Sequence, residues 1–247
     1  ARMTMNKEYK ACFVTPYFGK FPNYFSYFLS SAIYNSKFDF LFVTDIDYRF
    51  PEVRNIKVVN MSFQELQKKI QSIFDFKINI NVPYKLCDYK PAYGVIFKDY
   101  LNEYDYWGHC DIDTILGDLN HFIPFEELQE YDRIFTEGHM TLYKNNEKVN
   151  NYFRTLSALD CQNYKDVYTN DDVRCFDEWG AHKGNGLSWI LEKNGIKQYK
   201  ESMCFDVNST KYKFLNARNK EMYNGYFEYT HGKVIFWKYE NKQYIPE

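Results

Sequence analysis

Asp111-Ile112-Asp113 is where residue type and spacing in this sequence point most directly to chemistry. Two carboxylates two residues apart, leaving an apolar run (Tyr104-Asp-Tyr-Trp-Gly-His-Cys110), fall on one side of an extended chain, and the residue between them faces the other way. Both can then face one divalent cation. Hard oxygen ligands of this kind suit Mg2+ or Mn2+, which keep open positions for phosphate oxygens of a substrate. The doublet alone is weak, because Asp45-Ile46-Asp47 has the same form and either copy fits a solvated turn. What favours the later copy is its setting: a strand before it and Thr114-Ile-Leu-Gly117-Asp118-Leu119 after it.

The elements that must position these aspartates can be read from the apolar pattern. Lys10 to Thr15 and Phe38 to Thr44 are short apolar runs that end at Pro16 and Asp45, as buried strands do when they deliver polar residues at their carboxyl ends. Between them, residues 23 to 36 carry Tyr24, Phe25, Phe28, Leu29, Ala32 and Ile33 at helical spacing. Residues 56 to 59 form a third strand. Ser62-Phe-Gln-Glu65 is a capping box that opens a helix with Phe63, Leu66, Ile70, Ile73 and Phe74 on one face. Asp88-Tyr-Lys-Pro91 predicts the start of a helix through Leu101, because proline in a first turn costs no hydrogen bond.

The second half is less regular. It is expected to hold a strand near residues 133 to 136, helices near 147 to 159 and 186 to 194, and a terminal hairpin whose strands, 226 to 230 and 233 to 237, flank His231-Gly232. Strands alternating with helices and ending in acidic residues predict an α/β fold with a mixed, mostly parallel central sheet and a site along its carboxyl edge. With no internal repeat or low-complexity linker, the expectation is one domain over residues 1–247. Residues from about 10 to 119 would form its nucleotide-binding half, and those from about 120 to 247 its acceptor-binding half.

Composition narrows the partners. Thirty-one Lys plus Arg against 33 Asp plus Glu give a net charge of −2, so no basic field of the kind that drives nucleic-acid binding is present. At 45% hydrophobic and 26% charged, the chain has the make-up of a globular protein. Its departure from average is 24 Tyr and 22 Phe, read mainly as an aromatic core. Six Cys include no Cys-x-x-Cys pair and read as reduced, mostly buried thiols of a cytoplasmic protein. No stretch is apolar for long enough to span a bilayer. There is no G-x-x-x-x-G-K-[ST], no G-x-G-x-x-G after the first strand and no G-x-S-x-G, which disfavours P-loop hydrolases, dinucleotide enzymes and serine hydrolases of the α/β type.

Five blocks in order, Thr15-Pro-Tyr-Phe-Gly19, residues 85 to 94 (KLCDYKPAYG), Trp107-Gly-His-Cys-Asp-Ile-Asp113, Gly117-Asp-Leu119 and Phe176-Asp-Glu178, resemble the signature blocks of a bacterial family of GT-A-type glycosyltransferases associated with capsular polysaccharide and lipopolysaccharide assembly. The resemblance covers roughly residues 10 to 190. It implies a GT-A (Rossmann-like) nucleotide-sugar fold in which Asp111 and Asp113 hold the metal that binds the donor diphosphate, with Ile112 between them. It also implies that Thr15, Pro16 and Tyr17 border the nucleotide, with Asp45 at the neighbouring strand end. Lys90 becomes a diphosphate or base contact, since an ammonium beside developing phosphate charge lowers the barrier to departure. His231 is the candidate for the late histidine that many such enzymes add to the metal.

Within that resemblance, Asp177 or Glu178, whichever faces inward, would deprotonate the acceptor hydroxyl of an inverting enzyme or position the acceptor of a retaining one. His109 and the Gly138-His139-Met140 segment could line the acceptor side, and Trp107, Trp179 and Trp189 could stack on a sugar, although buried structural roles fit all of them. The expectation is therefore a metal-dependent hexosyltransferase using a nucleotide-diphosphate sugar, with UDP as the nucleotide, Mn2+ or Mg2+ as cofactor and a glycan or lipid-linked acceptor. It would work in the cytoplasm, where Lys211 to Arg218 could rest on the inner face of the membrane. A metal-dependent phosphohydrolase and a non-catalytic glycan-binding module are the alternatives.

Overall fold

The computed structural model describes residues 7–156, 163–181 and 186–246. In chain order the elements are β1 (Ala11–Pro16), α1 (Phe25–Tyr34), β2 (Phe38–Thr44), β3 (Ile56–Asn60) and α2 (Phe63–Gln71). A 3-10 segment (Pro83–Ala92) follows, then α3 (Tyr93–Ile96), α4 (Lys98–Leu101), β4 (Tyr106–Cys110), α5 (Leu119–Phe122), β5 (Arg133–Glu137), β6 (Met140–Lys144), α6 (Glu147–Asn150) and a short 3-10 turn at Tyr152–Arg154. The chain continues with α7 (Tyr164–Thr169), α8 (Leu187–Lys193), β7 (Gln198–Tyr199), β8 (Phe205–Asn208), β9 (Lys213–Asn216), β10 (Met222–Tyr223), β11 (Gly225–Thr230), β12 (Lys233–Glu240) and β13 (Gln243–Pro246).

Among the described residues, seven strands form the central sheet in the order β3-β2-β1-β4-β6-β5-β7. Strands β3, β2, β1 and β4 are parallel, β6 runs antiparallel between β4 and β5, and β7 is parallel to β5. The fold is thus mixed α/β with a mostly parallel sheet. The apolar runs of β1 and β2 are buried along almost their whole length, as expected of strands covered on both faces. Alternation along them sorts the core into two clusters: Cys12, Val14, Leu41, Val43 and Trp107 face α2, the 3-10 segment and α8, whereas Ala11, Phe13, Phe40, Phe42 and Tyr106 face α1. The second cluster accounts for much of the phenylalanine, with Phe13, Phe21, Phe25, Phe28, Phe38, Phe40 and Phe42 all buried in it.

The capping box at Ser62 and Glu65 forms in both directions. The expected helix over 88–101 does not form in one piece. Pro91, which has no N–H to donate, lies inside a 3-10 run that begins at Pro83, and only two short α-turns follow it. The expected helix over 147–159 is likewise replaced by α6 and a 3-10 turn, its last residues lying outside the described ones. Strand β6, helix α7 and the small sheet β10-β9-β8 were not foreseen, and the terminal hairpin gains a third strand, β13. Phe205, Phe214, Phe227 and Phe236 pack these two small sheets together. Of the thiols, Cys12 and Cys110 are buried, Cys87, Cys175 and Cys204 are half-buried, all five are free, and Cys161 lies outside the described residues. Among the described residues no helix is long and apolar enough to cross a membrane.

Candidate functional site

The chain order β1-β2-β3 runs one way from β1, and β4 lies on the other side of it, so the connections reverse direction between β1 and β4. In open α/β sheets such a reversal leaves a crevice at the carboxyl ends of the strands. Pro16 and Tyr17 leave β1 on one side of this crevice, and Asp111, Ile112 and Asp113 leave β4 on the other. The alternation of β4 continues past its end: Trp107 and His109 face the 3-10 segment, Cys110 and Ile112 belong to the α1-side core, and Asp111 turns toward the 3-10 segment. Ile112 is 7% exposed, so its side chain is core and only its backbone can meet a ligand. Asp113 is exposed, and the Tyr17 phenol, just beyond β1, is raised by burial first and then by Tyr24 and Asp113.

Lys90 stands at the centre. Its ammonium donates to Asp111 Oδ1 at 2.9 Å, to the Gly138 carbonyl at 3.0 Å and to Asp177 Oδ2 at 3.1 Å. Its side chain is 12% exposed, against 40% for Asp111 and 7% for Asp177. Burial opposes its charge, but Asp177 and Asp111 outweigh that and hold the ammonium well above the usual lysine range. Burial pushes the Asp177 carboxyl up from its ordinary value against the pull of Lys90, with Glu178 and Asp111 adding to the rise. A carboxylate raised in this way is a better proton acceptor than an ordinary aspartate.

The turn between β5 and β6 is the second half of the site. Glu137 pairs with Met140, leaving Gly138 and His139 as a two-residue turn. The Gly138 carbonyl accepts from Lys90, its N–H donates to Glu178 Oε2 at 3.0 Å, and the His139 carbonyl accepts the Asp111 N–H at 2.9 Å. A Cβ on Gly138 would lie 2.4 Å from Asp177 Oδ2 and 3.4 Å from Glu178 Oε2, so both acidic side chains pack against the bare α-carbon of this turn. Asp177 points inward to Lys90, while Glu178 is committed to the turn backbone.

Two buried devices hold this arrangement. Lys85, five residues before Lys90, donates to Asp88 Oδ2 at 2.8 Å and to the carbonyls of Val167 and Asp172. Asp88 in turn accepts the N–H groups of Arg174 and Phe176. This pair fastens the 3-10 segment to the strand of chain that carries Asp177. On the far side, Arg133 donates to the Asp177 carbonyl at 2.7 Å, to Gln198 and to Ser188. Gly186 seats the start of α8 on this chain, where any Cβ would fall 2.0 Å from the Glu178 carbonyl.

Lys90, Asp111, Asp177 and Glu178 are thus brought together, with Tyr17 and Asp113 at the mouth. Thr15 is 7% exposed, its hydroxyl buried without a hydrogen-bond partner among the described residues, and Asp45 is exposed just beyond β2, beside β1. His231 is not brought in: its Nδ1 lies 3.2 Å from the Tyr34 hydroxyl at the last residue of α1, and Asp111, Asp113 and His231 form no ligand cluster among the described residues. Trp107 is fully buried, stacked on Tyr143 and bonded to Asn150, and His109 is buried beside Tyr93 and Tyr143, its charged form suppressed first by burial. Trp179 and Trp189 meet edge to face.

Lys85, Asp88 and Arg133 gave no functional signal of their own in the sequence, and Gly138 entered only as part of a candidate acceptor-side segment. The only hint was that Lys85, Asp88 and Lys90 share one short block. A cavity of about 750 Å³ between α2 and residues 77–81 is lined by none of these groups. Residues 13–246 match the family model described as "Family of unknown function (DUF6625)". No curated protein and no solved structure matches the chain.

Proposed function

We propose that this chain, which belongs to the DUF6625 family, is a metal-dependent glycosyltransferase of GT-A type that moves a hexose from a nucleotide-diphosphate sugar, with UDP as the nucleotide, to a glycan or lipid-linked acceptor. The observation that carries the reading is the Lys90 ammonium held between Asp111, beyond β4, and buried Asp177, at the crevice where the parallel strands change direction. This edge is where open α/β sheets bind nucleotides.

The donor set fits a hard divalent cation: Asp111 keeps a 40%-exposed carboxylate, Asp113 is exposed, and the Ile112 side chain between them is withdrawn into the core. A bound Mn2+ or Mg2+ would supply charge neutralisation for the diphosphate. Lys90 adds a fixed positive charge beside it, in a position to offset the charge that grows on the departing nucleotide. Asp177 Oδ2, raised by burial, would take the proton of the acceptor hydroxyl if transfer inverts the anomeric centre, and Glu178 would act through the Gly138 turn. Tyr17, just beyond β1, would border the nucleotide. In this reading the enzyme works in the cytoplasm, on an acceptor displayed at the inner face of the membrane.

Calorimetric titration with UDP, GDP and CDP, with and without Mn2+, tests this reading. The expected result is micromolar UDP binding that appears only with the metal and disappears in Asp113→Ala. Inorganic phosphate released from a nucleotide sugar would instead favour a phosphohydrolase. Glycan binding that survives Asp111→Ala and needs no metal would favour a binding module.

A further inference from the structure

Beside the Lys90 centre, on the outer side of the same turn, lies a second cluster with different donor chemistry. Glu137, the last residue of β5, His139, in the turn, and Cys204, just before β8, offer a carboxylate oxygen, an imidazole nitrogen and a thiol sulfur that all lie within 4.8 Å of one another. Glu137 Oε2 and His139 Nδ1 are 3.7 Å apart. In a tetrahedral zinc site built on these three ligands the N···O edge measures about 3.3 Å and the edges to sulfur about 3.5 Å, given Zn–N and Zn–O bonds of about 2.0 Å and Zn–S of about 2.3 Å. The Glu137–His139 edge is about 0.4 Å longer than coordination requires, and the three donor atoms, all within 4.8 Å of one another, would draw in on the ion.

We propose that Glu137, His139 and Cys204 form a Zn2+ site distinct from the Asp111–Asp113 pair. The chemistry separates the two: a thiol and an imidazole select a borderline-soft ion such as zinc, whereas two carboxylates at an exposed strand end select Mg2+ or Mn2+. On binding, the Cys204 S–H gives its proton to solvent and the thiolate bonds the metal, His139 contributes a lone pair and Glu137 an oxygen. Three protein ligands leave a fourth position for water.

The placement gives the site a consequence. Glu137 and His139 flank Gly138, whose peptide holds Lys90 through its carbonyl and Glu178 through its N–H. Cys204 belongs to the chain leading into β8, and its carbonyl accepts the Ala217 N–H just beyond β9. Zinc would tie the small β10-β9-β8 sheet to the turn that shapes the Lys90 centre. Ser202, whose hydroxyl donates to Glu137 Oε1 at 3.3 Å, leaves Oε2 to face His139.

Co2+ serves as the spectroscopic stand-in for Zn2+. The chain of residues 1–247, stripped with a chelator and titrated with Co2+, is expected to show a near-ultraviolet thiolate-to-cobalt absorption that saturates at one ion per chain and that Zn2+ bleaches, whatever further Co2+ the Asp111–Asp113 pair takes up without that band. Cys204→Ser should lose that band, and His139→Gln should weaken binding about 10-fold or more. Asp111→Asn/Asp113→Asn should keep the band, so a failure of the transferase reading leaves this result intact. Near-native circular dichroism of Cys204→Ser establishes that the loss is not unfolding, and His139→Gln provides the second route if that variant does not fold. No thiolate band in the wild type, or a band unchanged by Cys204→Ser, would overturn the site.

Discussion

Two lysines five residues apart on one 3-10 segment, Lys85 and Lys90, each meet aspartate, in surroundings that differ. At Lys85 the pair is closed: its side chain and that of Asp88 are 1% and 0% exposed, and the remaining partners are backbone carbonyls and N–H groups within the core. At Lys90 it is open on one side, because Asp111 is 40% exposed and leads to exposed Asp113. A buried charge with every partner supplied by the protein has nothing left to offer a ligand. One whose partner faces solvent can exchange part of that partnership for phosphate or metal. The closed pair holds the segment in place and the open one faces the crevice at the carboxyl ends of the strands.

The sharpest way to break this comparison is Lys85→Met. It leaves Asp88 buried beside its backbone donors with no cation, and removal of one member of a buried pair costs about 3–5 kcal/mol. Urea denaturation should show that loss, and an equal or larger loss for Lys90→Met would erase the distinction. Next in size is the functional counterpart: Lys90→Met is expected to lower the turnover rate about 10²–10³-fold, as removal of a fixed donor at developing charge does, with a smaller loss of stability than at Lys85. Transfer assays read beside denaturation curves check both halves.

Gly138→Ala tests whether the turn and the open centre act together. Its Cβ would sit 2.4 Å from Asp177 Oδ2, so the turn or the carboxylate must move. Overpacking of this kind costs about 1–3 kcal/mol, and the rate of transfer should fall while UDP affinity changes less. Asp177 sharpens the comparison through pH. Because burial raises its carboxyl, the rate should climb with pH through a value above the ordinary aspartate range as the base loses its proton, and Asp177→Asn should remove that acid limb. The smallest effect is expected at His231→Ala, where only an exposed contact to Tyr34 is lost. Stability should change by about 0.5 kcal/mol or less and Mn2+ affinity not at all; a large loss of metal affinity would return His231 to the site.

The sequence made the parallel half legible because burial on both faces leaves apolar runs with defined ends. β1 and β2 appear where those runs lie, and the capping box places α2. It misread 88–101, because helical spacing of Tyr93, Ile96 and Phe97 says nothing of the 3-10 path that Pro83 and Pro91 impose upstream. Strand β6 was missed because Met140 to Lys144 is five residues long and its middle three residues, Thr141, Leu142 and Tyr143, are all buried, so it carries no two-residue alternation to mark it.

What the sequence by itself determined is the succession of the parallel strands β1 to β4 and the delivery of Asp111 and Asp113, on either side of a buried Ile112, just beyond the end of β4, since buried apolar runs have defined ends. Only the tertiary structure decided which other groups face them. Lys90, Gly138 and Asp177 come from three segments separated by 48 and 39 residues, and Glu137 and Cys204 from two separated by 67. No local periodicity links such positions. They meet because β6 folds back between β4 and β5, and because buried Lys85–Asp88 and Arg133 fix the loops on either side.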